Sequence, residues 1–508
     1  MARAKFMSAD EAALLVGDGA TVSLIGGGGG LVEASALHEA VERRFLATGA
    51  PRNLAVLHSL GVGDRKARGL SRFAHEGLVR KVTGGHWVWS PRMQEMARTN
   101  KIEAYVLPGG VVMQLYREIG ALRPGLFSRV GLGTFVDPRI DGGRMNEAAK
   151  DTLVEVANIG GEEFLFYKSF PIDVALLRGT YADDDGNVSL SEECANLDIQ
   201  ACALAARNSG GKVIVEVRER VKAGALPAHS VAIPGAWVDA IVVVPEQVMT
   251  YDLAFDPAMA GLTRLPPLEI PARKLDERLA IARRAATELK DGVVVNFGFG
   301  VPDAVAALVS EDVRSGRYLQ TIEHGVYGGE LLTGQIFGFS RNATAMIDAP
   351  TQFDFYSGGG LDIAFLGFGQ FDAQGNVNAS KLGGVPVGPG GFIDIAQNAR
   401  KVVFCGAFDA KGADIRIGGG RVEIAKHGAI AKLVAMVDQI TFSGAQARKQ
   451  GQEVLYVTER AVFRLGSEGV DLIELAPGVD LQKDVLARIG FAPRVAEPLG
   501  LMPSQGFA

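Results

Sequence analysis

The sequence predicts an α/β fold made of two related open domains, and three observations predict it. Runs rich in Val, Ile and Phe, such as Val293–Phe297, Leu361–Leu366 and Lys401–Phe404, alternate with helical stretches. They are nearly continuous rather than alternating, as in strands of a parallel sheet covered on both faces. A chain of 508 residues also exceeds what one core usually organises, so two domains are expected. Finally, the chain resembles itself. Ile172–Val188 (IDVALLRGTYADDDGNV) aligns without a gap on Leu361–Val377 (LDIAFLGFGQFDAQGNV), and Lys212-Val-Ile-Val falls on Lys401-Val-Val-Phe at the same offset of 189. DGATVSLIGGGGG from Asp18 echoes DGVVVNFGFGVPD from Asp291 at an offset of 273, so the first half carries about 84 more residues between these landmarks. A duplicated fold of this kind places its site in the cleft between the halves.

The elements follow in order. Ser8-Ala-Asp-Glu11 fits a capping box that opens a first helix. The strand Val22–Ile25 runs into Gly26–Gly30 and then a helix-like stretch from Leu31 to Leu46. Glycines there let backbone N–H groups approach an anion or substrate, with Gly28 at the centre, although neither G-x-G-x-x-G nor a GK[ST] ending is present. Residues 1–255 form the expected first domain, the Pro-rich 256–270 a linker, and 271–508 the second domain. In the second half Asn296–Val305 repeats the strand-to-helix turn, with Pro302 placed to open the helix. Gly383–Asp394 (GGVPVGPGGFID) is a further loop whose adjacent Gly390 and Gly391 could aim an N–H into a site.

Composition excludes several classes. The hydrophobic fraction of 47% and charged fraction of 22% are those of a globular protein, and the net charge of −6 argues against a nucleic-acid surface. Cys194, Cys202 and Cys405 give neither a disulfide framework nor CxxC spacing, which points to a reducing, cytoplasmic setting. The charged N-terminus does not read as a signal peptide, and no apolar run has membrane length. The 7 His residues are scattered without an HExxH pair, so no catalytic metal is expected, and no G-x-S-x-G elbow occurs. Asp183-Asp184-Asp185-Gly reads as a turn rather than a cation site, because its copy is Asp372-Ala-Gln-Gly. What stands out is TIEHGVYGG, Thr321–Gly329. It reads as a strand ending in a tight turn, with an acid at its tip and no Lys or Arg in the run.

That run, Glu323-His-Gly-Val-Tyr-Gly-Gly, resembles the catalytic Glu-x-Gly motif of family I coenzyme A transferases. Gly131–Arg139 (GLGTFVDPR), Asn296–Pro302 (NFGFGVP), Gln352–Gly360 (QFDFYSGGG), Gly375–Lys381 (GNVNASK) and Leu472–Asp480 (LIELAPGVD) match further family motifs in order. The resemblance spans nearly the whole chain. It is nearest to the single-chain propionate/acetate type and is shared with succinyl-CoA:3-ketoacid CoA-transferase. It implies fused α-subunit-like and β-subunit-like halves, with no permanently bound cofactor. It further implies that coenzyme A passes between a short-chain acyl-CoA and a small free carboxylic acid through a glutamyl-CoA thioester on Glu323. Gly391 matches the family's oxyanion glycine. Asn296, Gly298, Gly300, Gly390 and Lys381 are the implied coenzyme A contacts, and Gly28, Gly109 and His324 line the substrate pocket. A homodimer or homotetramer is implied, with neither nucleic acid nor membrane as partner.

A carboxylate suits this chemistry because it is expected to be ionised at neutral pH without a base. Two positions depart from the family pattern. Leu107-Pro-Gly-Gly110 puts Gly109 where a glutamine is common, leaving space for water, and His324 follows the nucleophile where Asn, Ala or Pro is usual. An acyl-CoA hydrolase on the same scaffold is the first alternative. A sugar-phosphate isomerase or ligand-binding protein of the same fold class is the second.

Overall fold

The computed structural model describes residues 4–268 and 274–508, so positions 269–270 of the expected linker and 271–273 of the expected second domain lie outside the described residues. Two large sheets organise the chain. In the first, β1 (Thr21–Leu24), β2 (Leu54–His58), β3 (Val79–Gly84), β4 (Glu103–Val106), β5 (Val174–Asp183), β6 (Lys212–Val221) and β7 (Ala240–Val243) lie in the spatial order β7-β6-β5-β1-β2-β3-β4. All these neighbours pair parallel. In the second, β8 (Val294–Phe297), β9 (Leu319–Ile322), β10 (Ile363–Gly367), β11 (Lys401–Cys405) and β12 (Glu453–Val457) take the order β9-β8-β10-β11-β12, again parallel.

The internal likeness is therefore architectural: β2-β1-β5-β6-β7 and β9-β8-β10-β11-β12 have one strand order. The surplus of the first half falls between β2 and β5. It holds β3, β4, the helix Gly109–Gly120 and a three-stranded antiparallel sheet of Gly125–Ser128, Glu162–Lys168 and Val154–Ile159. Burial explains the continuous apolar runs. The residues of β5 from Val174 through Thr180 are buried without a break, because helices cover both faces of a parallel sheet.

Helices α1 (Ser35–Thr48), α2 (Gly109–Gly120), α3 (Val301–Leu308), α4 (Ala349–Ser357) and α5 (Phe392–Asn398) supply the layers around the site. The capping box at Ser8 forms, with reciprocal bonds to Glu11 ahead of the helix Ala9–Ala13. α1 begins later than the sequence suggests. Gly28–Gly30 and Val32 all have positive φ, so the chain stays in a turn through Ala34. The acidic turn is the same in both halves: Asp183 accepts the N–H groups of Asp185 and Asn187, and Asp372 those of Gln374 and Asn376.

Topology fixes where a ligand goes. The first core strand of each sheet has one partner on either side, β2 and β5 around β1, β9 and β10 around β8. A crevice opens outside the strand ends where the order reverses. The chain leaves β1 into Gly26–Gly30, β8 into Gly298–Gly300, and β9 into Glu323. All three segments singled out in the sequence thus stand at switch points. Among the described residues no helix is long and apolar enough to cross a membrane.

Candidate active site

Glu323 is presented by a hairpin. β9 ends at Ile322, and the chain returns antiparallel through Val326 and Tyr327. Gly325 makes the turn at φ 90°, and a Cβ there would stand 2.2 Å from the Ile347 carbonyl oxygen. The strand beneath the acid is pinned from the side. Tyr356 Oη donates to Thr321 Oγ1 (2.9 Å), and Asn296 Nδ2 donates to the Thr321 carbonyl (3.1 Å). Asn296, expected to contact coenzyme A, thus directs its amide donor inward to hold the strand that carries Glu323.

The carboxyl of Glu323 faces the start of α5. The Gly391 N–H donates to it, and a Cβ on Gly391 would lie 2.0 Å from Glu323 Oε2 and 2.8 Å from Phe353 Cζ. Any side chain at 391 would displace the acid. The residue as a whole keeps some exposure, but protein surrounds its carboxyl. Burial therefore pushes its pKa up to about 7, against the lowering effect of the Gly391 bond. A carboxylate expected to be ionised at neutral pH without a base is thus shifted by burial toward the protonated form.

One turn along α5 sits a second buried acid. Asp394 accepts from the Gly110 N–H (3.2 Å) and the Val111 N–H (3.1 Å), the second and third residues of α2 in the other half. Burial lifts it to about 8, with Glu323 adding to the rise.

The first half closes with backbone on Gly390, the neighbour of Gly391. Gly109 N–H donates to the Gly390 carbonyl (2.8 Å), and Gly390 N–H donates to the Gly85 carbonyl (2.8 Å). A Cβ on Gly109 would meet Gly390, Leu60 and Ser59 at 3.0 Å each. At Gly109 the two halves meet through backbone, with no room for a Cβ without a shift of a few tenths of an ångström. His324 is buried, and burial holds it down to about 4. Its Nδ1 lies 2.8 Å from the Gly338 carbonyl and so carries the proton. A Cβ on Gly27 would stand 3.2 Å from His324 Nε2 and Cε1, which makes this ring a seam between the Gly26–Gly30 loop and the Glu323 turn. Gly28 has positive φ and packs against Trp89, where a Cβ would be 2.3 Å from Cε2. Glu33 ties this loop to its neighbour by accepting from Gly30 N–H (3.2 Å), Gly63 N–H (2.9 Å) and Tyr251 Oη (2.6 Å).

The remaining expected contacts divide. Gly300 turns at φ 95° before α3 with open space around its Cα, whereas Gly298 N–H donates to the Phe365 carbonyl (2.8 Å). Lys381 opens a two-stranded ribbon with Val385–Pro386, and among the described residues nothing joins it to Glu323. Asp394, Phe353 and Trp89 escaped the sequence reading. Asp394 had one visible signal, its place three residues after Gly391 at the start of a helix.

A family model described as Coenzyme A transferase matches residues 6–244. The chain is 45% identical over 514 residues to caffeate CoA-transferase of Acetobacterium woodii, covering 99% of this chain and 98% of the relative. It is 40% identical over 509 residues to acetate CoA-transferase YdiF of Escherichia coli K12, covering 99% and 95%. The crystal structure of the Escherichia coli O157:H7 acyl-CoA transferase YdiF as a thioester complex with CoA superposes with a TM-score of 0.94 at 40% identity, over 100% of this chain and 96% of that one. Similarity of this extent, over both sheets and the cleft between them, makes this chain a member of the coenzyme A transferase family.

Proposed function

We propose that this transferase moves coenzyme A between a short-chain acyl-CoA and a free carboxylate through a thioester on Glu323. The observation that carries the reading is the enclosed Glu323 carboxyl held by the Gly391 N–H at the mouth of two opposed switch points. A Glu323 oxygen attacks the thioester carbonyl, giving a mixed anhydride and coenzyme A thiolate. The thiolate attacks the Glu323 acyl carbon, the donor acid leaves as carboxylate, and a glutamyl thioester remains. The acceptor acid reverses both steps, so bonds of similar energy are exchanged and no ATP is consumed.

The Gly391 N–H is positioned to stabilise the oxyanions that develop on Glu323, a contribution of about 3–4 kcal/mol for such donors. Phe353 and the close packing at Gly109 exclude water, which favours transfer over hydrolysis of the thioester. Asn296, Gly298, Gly300, Gly390 and Lys381 remain proposed coenzyme A contacts, and Gly28, His324 and Gly109 proposed walls of the substrate pocket. We place the domain boundary at 256–270. We also propose a homodimer or homotetramer, to be checked by light scattering, in a cytoplasmic setting that fits three buried free cysteines.

Isotope exchange tests the reading. Labelled acetate should enter acetyl-CoA with ping-pong kinetics, and Glu323→Gln should abolish the exchange. Undiminished exchange in that variant refutes the role of Glu323.

A further inference from the structure

Among the described residues no carboxylate pairs with Arg65, which stands between the two halves. Its residue has a positive φ of 63°, and its N–H donates to the Trp89 carbonyl (2.9 Å). The guanidinium carbon lies 4.5 Å from the centre of the Trp89 ring in the first half and 5.3 Å from that of Phe299 in the second. Stacking on rings fixes a guanidinium plane while leaving its edge donors free for a planar oxyanion. Arg65 Nε is enclosed with no hydrogen-bond partner among the described residues. The adjacent acid does not serve it. Asp64 accepts the backbone N–H groups of Lys66, Ala67 and Arg68, and its side-chain cation is Arg68 at 3.9 Å. Placing a cation in left-handed backbone and leaving it unpaired is costly unless a ligand completes it.

Two chains of contact connect this group to the nucleophile. Trp89 rests on Gly28, next to Gly27, which abuts His324. Phe299 meets Phe337 edge-on at 5.3 Å, and the following Gly338 carbonyl holds His324 Nδ1. Both routes end on the residue beside Glu323. Phe299 is half exposed and lies in the turn that leaves β8, and Arg65 itself is only partly buried.

We infer that Arg65 is a binding residue for the transfer reaction, taking an oxyanion carried by the substrate in the aromatic bracket of Trp89 and Phe299. The oxyanion is either a phosphate of coenzyme A or the distal carboxylate of a dicarboxylic acyl group, and the chemistry of recognition is the same for both. The inference rests on the transferase reading, and formation of the Glu323 adduct by the wild-type protein checks that reading separately.

The test compares wild type, Arg65→Lys and Arg65→Met in acetyl-CoA–acetate exchange, with succinate as an inhibitor and acetyl-pantetheine as a phosphate-free donor. Loss of a charge-assisted bidentate contact predicts a roughly ten- to hundred-fold weaker interaction at nearly unchanged kcat, with Lys recovering part of it. A rise in KM for acetyl-CoA but not for acetyl-pantetheine assigns the phosphate. Loss of succinate inhibition with KM unchanged assigns the carboxylate. No change in either quantity overturns the inference. So does an equal loss with acetyl-CoA and acetyl-pantetheine while succinate inhibition stands, because Arg65 then only packs the cleft.

Discussion

Glu323 is held where a carboxylate is least comfortable, and its titration records this. Its pKa rises from 4.5 to about 7 by burial, so the folded state prefers the protonated acid. Stability from this group is full below about 4.5 and is lost as pH rises through about 7, a cost of about 3 kcal/mol once the acid is ionised. The rate has the opposite sign, since only the anion attacks. For the free enzyme, kcat/KM should climb about tenfold per unit below pH 7 and level off above it. Glu323→Gln should be inactive yet more stable than wild type at pH 8, with little difference at pH 4.5. Urea unfolding at the two pH values measures this, and a destabilised variant at pH 8 would contradict the burial argument. The sequence disclosed the acid, because an isolated Glu in a glycine-rich turn has no local partner. Its altered ionisation was not visible, because the enclosing groups, Phe353 and α5, lie far along the chain.

Between elements, the contact that matters most is α5 against α2. Asp394 satisfies two donors at the α2 N-terminus from the opposite half, and Gly109 N–H reaches the Gly390 carbonyl. Replacing Asp394 by Leu strands both donors in a dry interface, which should cost about 2–4 kcal/mol of stability. Thermal or urea unfolding reads this, and an unchanged midpoint would show that the cap is dispensable. Single elements were legible where one physical signal dominated. The buried strands announced themselves by unbroken apolar runs, and Pro302 marked the start of α3. The start of α1 was misread because apolar spacing continues through Leu31–Ala34, while the backbone there is held by positive φ and by Glu33. Asp394 was missed because its partners are nearly 300 residues away (|i−j| of 284 and 283), where no periodicity reaches.

At the scale of the whole molecule, one plan used twice creates the site. Two sheets of the same strand order each open a crevice at their switch point, and their loops meet across the cleft at Gly27–His324 and Gly109–Gly390. The acid and its nearest cover, Gly391 and Phe353, come from the second half, and the first half adds the backbone that closes on Gly390. The duplication was readable from offsets of 189 and 273, because strand-turn segments keep their lengths while insertions such as the three-stranded sheet do not. Everything functional depends on Glu323 itself becoming the coenzyme A carrier. Incubating the protein with acetyl-CoA, without added acceptor, and recording intact mass tests this directly. The account predicts a mass gain of one coenzyme A less one water, mapped to Glu323 by peptide analysis; no gain, or an equal gain in Glu323→Gln, would contradict it.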